Sequence, residues 1–282
     1  MSSGSAQDDT SSRVSMNTPE VEALFAQTLL GDFEDEAVSD AVATLHQGGS
    51  REIFDRAAAW CASDVSLKRA RAAAIVCQLR QAPFLGAPDE KPEWIFHDES
   101  FSLVTEMLED ELDFGVIESA IFALGHLDNP RAIPTIIRYQ DHTDAKVRFA
   151  VAFALGCFPN DLQSVKGLLK LTSDADPDVR DWAVFGVGVQ GGLDSPEIRE
   201  TLLRCLDDVD KDVREEAAHG LGKRQDQRLI PKLREMLDEP KISTRLGEAA
   251  SALLGLDEDP PEWLAADYKA ALISKFQIVD WA

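Results

Sequence analysis

An all-α, right-handed superhelical solenoid of helical hairpins is predicted by three observations. One phrase occurs four times: an apolar residue, usually an Arg, two variable residues, small residues, then an apolar residue and Gly. The copies are VIESAIFALG (Val116 to Gly125), VRFAVAFALG (Val147 to Gly156), VRDWAVFGVG (Val179 to Gly188) and VREEAAHGLG (Val213 to Gly222). Their starts lie 31 to 34 residues apart, the spacing of stacked two-helix units. Asp-rich strings precede the later copies, as expected of tight turns between the two helices of a hairpin.

The elements follow in order. Residues 1–18 are rich in Ser, Thr, Asp and Gln and have too little apolar surface to offset ordering entropy, which predicts a disordered tail. Pro19 to Leu30 and Glu34 to Gln47 read as short amphipathic helices, separated by Gly31-Asp32 and closed by Gly48-Gly49; they make an N-terminal cap over 19–50. Arg51 to Ala62 with Leu67 to Arg80 is the first hairpin, with Cys77 in place of the repeat's Gly. Ala82 to Trp94 holds three Pro and one Gly, which rule out regular helix and mark a Pro-rich insertion over 82–98. The hairpins then become regular: Phe101 to Glu109 with Val116 to Leu127, Ile133 to Tyr139 with Val147 to Phe158, Gln163 to Leu171 with Val179 to Gln190, Glu197 to Leu206 with Val213 to Arg224, and a degenerate Leu229 to Leu237 with Arg245 to Leu254. Glu262 to Ile273 and the apolar end FQIVDWA form a C-terminal cap over 257–282, where atypical sequence is expected because the last hairpin has no neighbour.

The formal net charge is −23, from 51 acidic and 28 basic residues. Such a charge repels nucleic acid and anionic membranes and speeds encounter with basic partners, although solubility alone would also be served by it. No apolar run approaches the roughly 20 residues that span a bilayer, and the start lacks an apolar segment of signal-peptide length. A soluble cytoplasmic protein, monomeric alone, is expected. Cys61, Cys77, Cys157 and Cys205 are scattered through apolar helical contexts with no CxxC pair, which predicts buried free thiols.

Catalytic and metal chemistry leaves little trace. SDADPD (Ser173 to Asp178) and DDVDKD (Asp207 to Asp212) fail as calcium loops, because position 6 would need Gly and position 12 Glu, where Val179 and Phe185, or Asp212 and Ala218, stand. His46, His97, His126, His142 and His219 show no ligand spacing, and no HExxH, GxSxG or P-loop occurs. Gly186, Gly188, Gly191 and Gly192 follow a helix, not a strand, and suit close helix packing and helix termination. No cofactor and no metal are expected. A local basic patch around Lys68, Arg69 and Arg71 would have to work against its surroundings.

With the period, the Asp-containing turn and the V-R-x-x-A-x-x-[AG]-[LV]-G helix in place, residues 51 to 256 resemble HEAT-repeat proteins, in particular the bacterial HEAT-like repeats also found in phycobilin lyases. Related repeats serve as scaffolds, adaptors, immunity proteins, chromophore lyases, DNA-alkylation glycosylases and a metal-dependent hydroxylase. The resemblance implies a ladder in which the recurrent Arg bonds a turn Asp. Arg148, Arg180 and Arg214 match, with Asp144, Asp176 and Asp210 as candidate partners, and Ile117 breaks the ladder at its start. It also implies that second helices line a concave face.

Counting from the Arg position at 100° per residue, positions −1, +3, +6 and +7 form the core side, occupied by Val147, Val151, Ala154, Leu155 and their equivalents. Positions +1, +2 and +5 lie opposite. There stand Glu118, Ser119 and Phe122; Phe149, Ala150 and Phe153; Asp181, Trp182 and Phe185; Glu215, Glu216 and His219. Two readings are open: a partner-binding groove with Phe122, Phe149, Phe153, Trp182 and Phe185 as apolar anchors inside an acidic rim of Glu118, Asp181, Glu215 and Glu216, or burial of these rings between successive helices. The function expected is a non-enzymatic protein-binding scaffold or adaptor for a basic partner, of which an immunity protein neutralising a cationic toxin is one form. The competing class is an enzyme of chromophore-lyase or DNA-glycosylase type in the same groove. A carboxylate beside aromatics, with basic residues leading to it, would favour the enzyme.

Overall fold

The structure, a computed structural model, describes residues 16–80, 93–239, 241–256, 260 and 263–278. The expected tail as far as residue 15, most of the Pro-rich insertion and parts of the C-terminal cap lie outside these residues. Among the described residues the regular structure is helical, with one isolated antiparallel bridge between Arg80 and Trp94. The fold is an all-α solenoid of helical hairpins, and its contacts group into two compact units, residues 1–123 and 124–282.

In the first unit lie α1 (Thr18–Gln27), α2 (Glu36–Gln47), α3 (Arg51–Cys61), α4 (Ser66–Val76), α5 (His97–Met107) and most of α6 (Phe114–His126). α1 opens on a capping box: Asn17 accepts the backbone N–H of Glu20, and the Glu20 carboxylate accepts that of Asn17. Helix therefore starts at Thr18, inside the segment expected to be disordered. Two of the three basic residues Lys68, Arg69 and Arg71 on α4 are engaged within the fold. Arg71 is buried and donates to the carbonyls of Thr28 (2.8 Å) and Gly31 (2.6 Å), tying α4 to the turn between α1 and α2. Arg69 is bound to Glu111 at 2.7 and 2.9 Å.

The second unit holds α7 (Ile133–Ile137), α8 (Ala145–Gly156), α9 (Leu162–Leu171), α10 (Pro177–Phe185), α11 (Pro196–Cys205), α12 (Lys211–Lys223), α13 (Ile230–Leu237), α14 (Thr244–Leu254) and α15 (Ala265–Phe276). The second helices α8, α10, α12 and α14 pack side by side in chain order. Their core positions are occupied as the periodicity requires: Val147, Val151, Ala154 and Leu155 are fully buried, as are Val179, Ala183, Val213, Ala217 and Leu221. Close approach of α10 and α12 depends on glycine. A Cβ on Gly220 would come within 2.8 Å of the Gly188 Cα, so only hydrogen fits between these backbones.

The predicted helix Val179 to Gln190 is α-helical to Phe185 and continues as a π-helical turn, Gly186–Gln190. The Gly191 N–H donates to the Gly186 carbonyl at 3.1 Å. Carbonyls of the wider turn are taken by Arg224, which donates to Val187 (2.8 Å) and Gly188 (2.5 Å) and also to Leu193 (2.7 Å) beyond the turn, and by Lys223, which donates to Val189.

All four cysteines are free; Cys61, Cys77 and Cys205 are buried and Cys157 partly so. Burial pushes the thiols up, to about 12 for Cys61 and Cys77 and about 11 for Cys157 and Cys205. They are therefore poor nucleophiles. Among the described residues no helix is long and apolar enough to cross a membrane.

Candidate functional site: the second-helix face

The second helices α8, α10 and α12 each begin with an Asp cap, and α14 with Ser243. Asp144 accepts the backbone N–H groups of Lys146 and Val147, Asp176 those of Asp178 and Val179, and Asp210 those of Asp212 and Val213. These carboxylates are occupied by their own helices, so the ladder takes a different partner. Arg148 Nε and Nη2 form a two-pronged pair with Asp174 (2.7 and 2.8 Å), and its Nη1 donates to the carbonyls of His142 and Thr143. Arg180 repeats the arrangement with Asp208 (2.8 and 2.8 Å) and the carbonyls of Asp174 and Ala175. Arg214 donates to the carbonyls of Asp208 and Val209. The residue in the next turn that matches Asp174 and Asp208, two places before the cap Ser243, is Lys241, so Arg214 has no carboxylate there.

The same geometry occurs in the first unit, where Arg69 pairs with Glu111 and donates to the Ser63 carbonyl at 2.8 Å. Glu111, Asp174 and Asp208 each accept the N–H of the residue two places on. In the intervening turn His142 Nδ1 accepts that N–H from Asp144 at 3.1 Å. Despite their partial burial, Asp174 and Asp208 are held below the usual carboxylate range by the hydrogen bonds from Arg148 and Arg180.

Opposite the core, the second helices carry a run of rings. Phe149 meets Trp182 edge-on at 5.8 Å, Phe153 meets Trp182 at 5.5 Å, and Trp182 meets Phe185 at 5.5 Å. His126 stands against Phe153 at 5.1 Å. Phe149, Phe153, Trp182 and Phe185 are half-buried, so packing between neighbouring helices and a remaining open edge coexist. Phe122 and Glu118 are half-buried on α6, in the first unit.

The acidic rim needs correction. Glu215 and Glu216 are buried, at 2% and 4% exposure, because α14 lies against the flank of α12 that the helical wheel leaves open. Glu215 accepts from the Ser243 hydroxyl at 2.6 Å and faces Lys211 at 3.6 Å. Glu216 lies 2.7 Å from Arg245 Nε, while Arg245 Nη1 is 3.4 Å from Asp212 and 3.7 Å from Asp181. His219, half-buried, has Nδ1 3.6 Å from a Glu248 oxygen. One arginine thus serves three carboxylates. Desolvation, reinforced by the neighbouring acids, pushes Asp181 up to about 6 and Glu216 up to about 7, although Arg245 opposes the shift.

Arg245 and Glu248 were not among the residues the repeat pattern singles out. The signal was present in the degenerate last copy: with Leu246 at the core position −1, Glu248 falls at +1, as Asp181 and Glu215 do. Beside this cluster, Ser243, Gly247, Glu248, Trp263 and Tyr268 line part of a cleft of about 240 Å³. Among the described residues no group of three or more His, Cys, Asp or Glu side chains is arranged to hold a metal ion.

A family model of HEAT repeats matches residues 165–254, and that of the PBS lyase HEAT-like repeat matches residues 116–142. Over these stretches the chain is similar to HEAT repeats. The Arg180–Asp208 pair, the Asp176 and Asp210 caps and the Gly188–Gly220 contact fall within residues 165–254. YibA of Escherichia coli superposes with a TM-score of 0.67 at 21% identity, covering 91% of this chain and 92% of its own, and shows the same fold. The complex of CpcE and CpcF of phycocyanin lyase from a Nostoc species matches at a TM-score of 0.47 and 17% identity, over 96% and 99% of the two chains. Human deoxyhypusine hydroxylase in complex with glycerol matches at 0.35 and 18%, over 92% and 97%. Among curated proteins none matches the sequence.

Proposed function

We propose that the chain is a non-enzymatic, cytoplasmic scaffold or adaptor, monomeric alone, that binds a basic protein through the second-helix face of its second unit. The observation that carries this reading is the run of half-buried rings, Phe149, Phe153, Trp182 and Phe185, on α8 and α10, with Asp181, next to Trp182 in sequence, among three carboxylates that share Arg245. Rings supply contact energy at low entropic cost, and carboxylates orient and select a cation-rich surface. The net charge of −23 steers such a partner over longer range. An immunity protein that occludes a cationic toxin is a specific form of this function.

Affinity capture from native lysate at low and moderate salt tests the reading, with wild type compared against Trp182→Ala/Phe185→Ala and captured proteins identified by mass spectrometry. A stoichiometric basic protein held by wild type and lost from a folded variant is the expected result. Capture that is equal in both would reject the face.

One observation favours a second reading. Burial pushes Asp181, next to Trp182 in sequence, up to about 6 and Glu216 up to about 7, which suits a general acid or base in an enzyme of lyase or glycosylase type. Co-purification of a tetrapyrrole or nucleic acid in place of a protein would select it.

A further inference from the structure

One arginine of the ladder is placed like the others and paired differently. In Arg148 and Arg180, two carbonyls of the residue's own turn hold Nη1, which aims the Nε–Nη2 edge at the next turn, where Asp174 and Asp208 take it. Arg214 is held in the same way, with Nη1 donating to the carbonyls of Asp208 at 2.7 Å and Val209 at 3.0 Å. Its Nε–Nη2 edge therefore points as theirs do. Among the described residues no carboxylate pairs with that edge, because exposed Lys241 stands at the matching position. Arg214 is half-buried, with Nε and Nη2 open to solvent, and lines a cleft of about 310 Å³ between its turn and α13. The acids of the cleft have cations of their own: Asp208 has Arg180, Asp207 and Glu235 have Lys232 at 2.9 and 3.3 Å, and Glu239 has Lys211 at 2.8 Å. Asp208 also interacts with Arg214 through space, as Asp174 does with Arg180, and Arg180 takes a second carboxylate nonetheless. A guanidinium fork fixed in advance loses little side-chain freedom when a carboxylate arrives.

We propose that Arg214 receives one carboxylate side chain, Asp or Glu, from a protein segment outside this chain, seated on Nε and Nη2 as Asp208 is seated on Arg180. Two rungs complete this geometry within the chain, and the third offers it to a partner. Charge restricts the segment. A net charge of −23 and the acids lining the cleft oppose polyanions, so the segment carries a single acid among neutral or basic residues. Val209, 92% exposed beside the fork, favours an aliphatic neighbour next to that acid. The site lies on the turn edge of the array, involves none of the rings, and stands independently of the second-helix face.

The probe is the peptide acetyl-Val-Asp-Val-amide, titrated onto the isotopically labelled full chain at neutral pH and fixed ionic strength while arginine Nε–H resonances are followed by NMR. Acetate and the Asn counterpart of the peptide are titrated alongside. A saturable shift of the Arg214 signal is expected, with Arg148 and Arg180 unmoved because their forks are taken. The Asn peptide should bind about tenfold more weakly, and acetate about threefold. Arg214→Lys keeps the charge and removes the fork, and should weaken the Asp peptide about tenfold, read at the backbone amides of the turn. Lys241→Asp places a carboxylate of the chain itself at the ladder position; it is expected to abolish the peptide response and raise the urea midpoint. Equal affinity for acetate and peptide would overturn the protein segment in favour of a free acid. Equal affinity for the Asn peptide, an Arg214 signal that moves no more than those of Arg148 and Arg180, or a full response retained in Lys241→Asp would overturn the site. The wild-type titration needs no variant, so a substituted chain that fails to fold does not remove the test.

Discussion

At the level of single residues, the ladder explains why the repeat phrase keeps Arg after its first apolar residue. Arg180 joins the carbonyls of its own turn to the carboxylate of the next, and both Arg180 and Asp208 side chains are largely buried, at 11% and 13% exposure. Arg180→Ala would leave Asp208 without its compensating charge and is expected to cost about 2 to 4 kcal/mol in urea unfolding. Arg214→Ala, which removes bonds to two carbonyls and no carboxylate pair, should cost less, about 1 to 2 kcal/mol. Equal losses would refute this division of roles. The recurrence of Arg148, Arg180 and Arg214 was legible in the sequence. Their partners were not, because SDADPD offers Asp174 and Asp176 two places apart; one caps the helix and the other meets the arginine, and only three-dimensional geometry separates them.

The next scale is the packing of one second helix on another. The π-helical turn that continues α10 meets α12 through Gly188 and Gly220, where a Cβ added to Gly220 would lie 2.8 Å from the Gly188 Cα. Gly220→Ala improves helix propensity by about 1 kcal/mol yet forces the backbones apart, so a net destabilisation of about 1 to 3 kcal/mol is expected in chemical unfolding. A stabilised Gly220→Ala would mean that the helices separate at little cost. The helical wheel read the core flank correctly, since Val147, Val151, Ala154 and Leu155 are all fully buried. It misjudged the opposite flank because a wheel describes an isolated helix. In the array, α14 covers Glu215 and Glu216, and Trp182 bridges Phe149 and Phe153 to Phe185. The rings therefore support one another, and Trp182→Ala/Phe185→Ala is expected to lose about 2 to 4 kcal/mol while remaining folded, as checked by circular dichroism.

Across the whole molecule, two sets of carboxylates act on stability in opposite directions with pH. Asp181 and Glu216 are raised to about 6 and about 7, so the native state keeps protons that the unfolded chain has released above about pH 4, and their contribution falls as pH rises to about 7. Glu111, Asp174, Asp194, Asp208 and Asp226 are lowered, Asp226 to about 2 by Arg228 and Arg199. These contribute stability above the unfolded carboxylate range, and it is lost as pH falls through about 4 and below. The urea midpoint of the free protein should therefore peak near about pH 5 and decline toward pH 8, with a shallower decline in Glu216→Gln. An identical decline in wild type and variant would contradict the titration assigned to Glu216. Repeat period and hairpin order made the all-α class legible from sequence; the charge cluster was hidden because Arg245 belongs to the copy least like the others.

The measurement that tests the protein-binding face most directly is amide hydrogen exchange of the full chain, free and with the captured basic protein. Slower exchange concentrated on α8, α10, α12 and α14, with α9, α11 and α13 unchanged, is the result predicted. Protection confined to α9, α11 and α13, or to the first unit, would contradict the account and move the binding surface elsewhere.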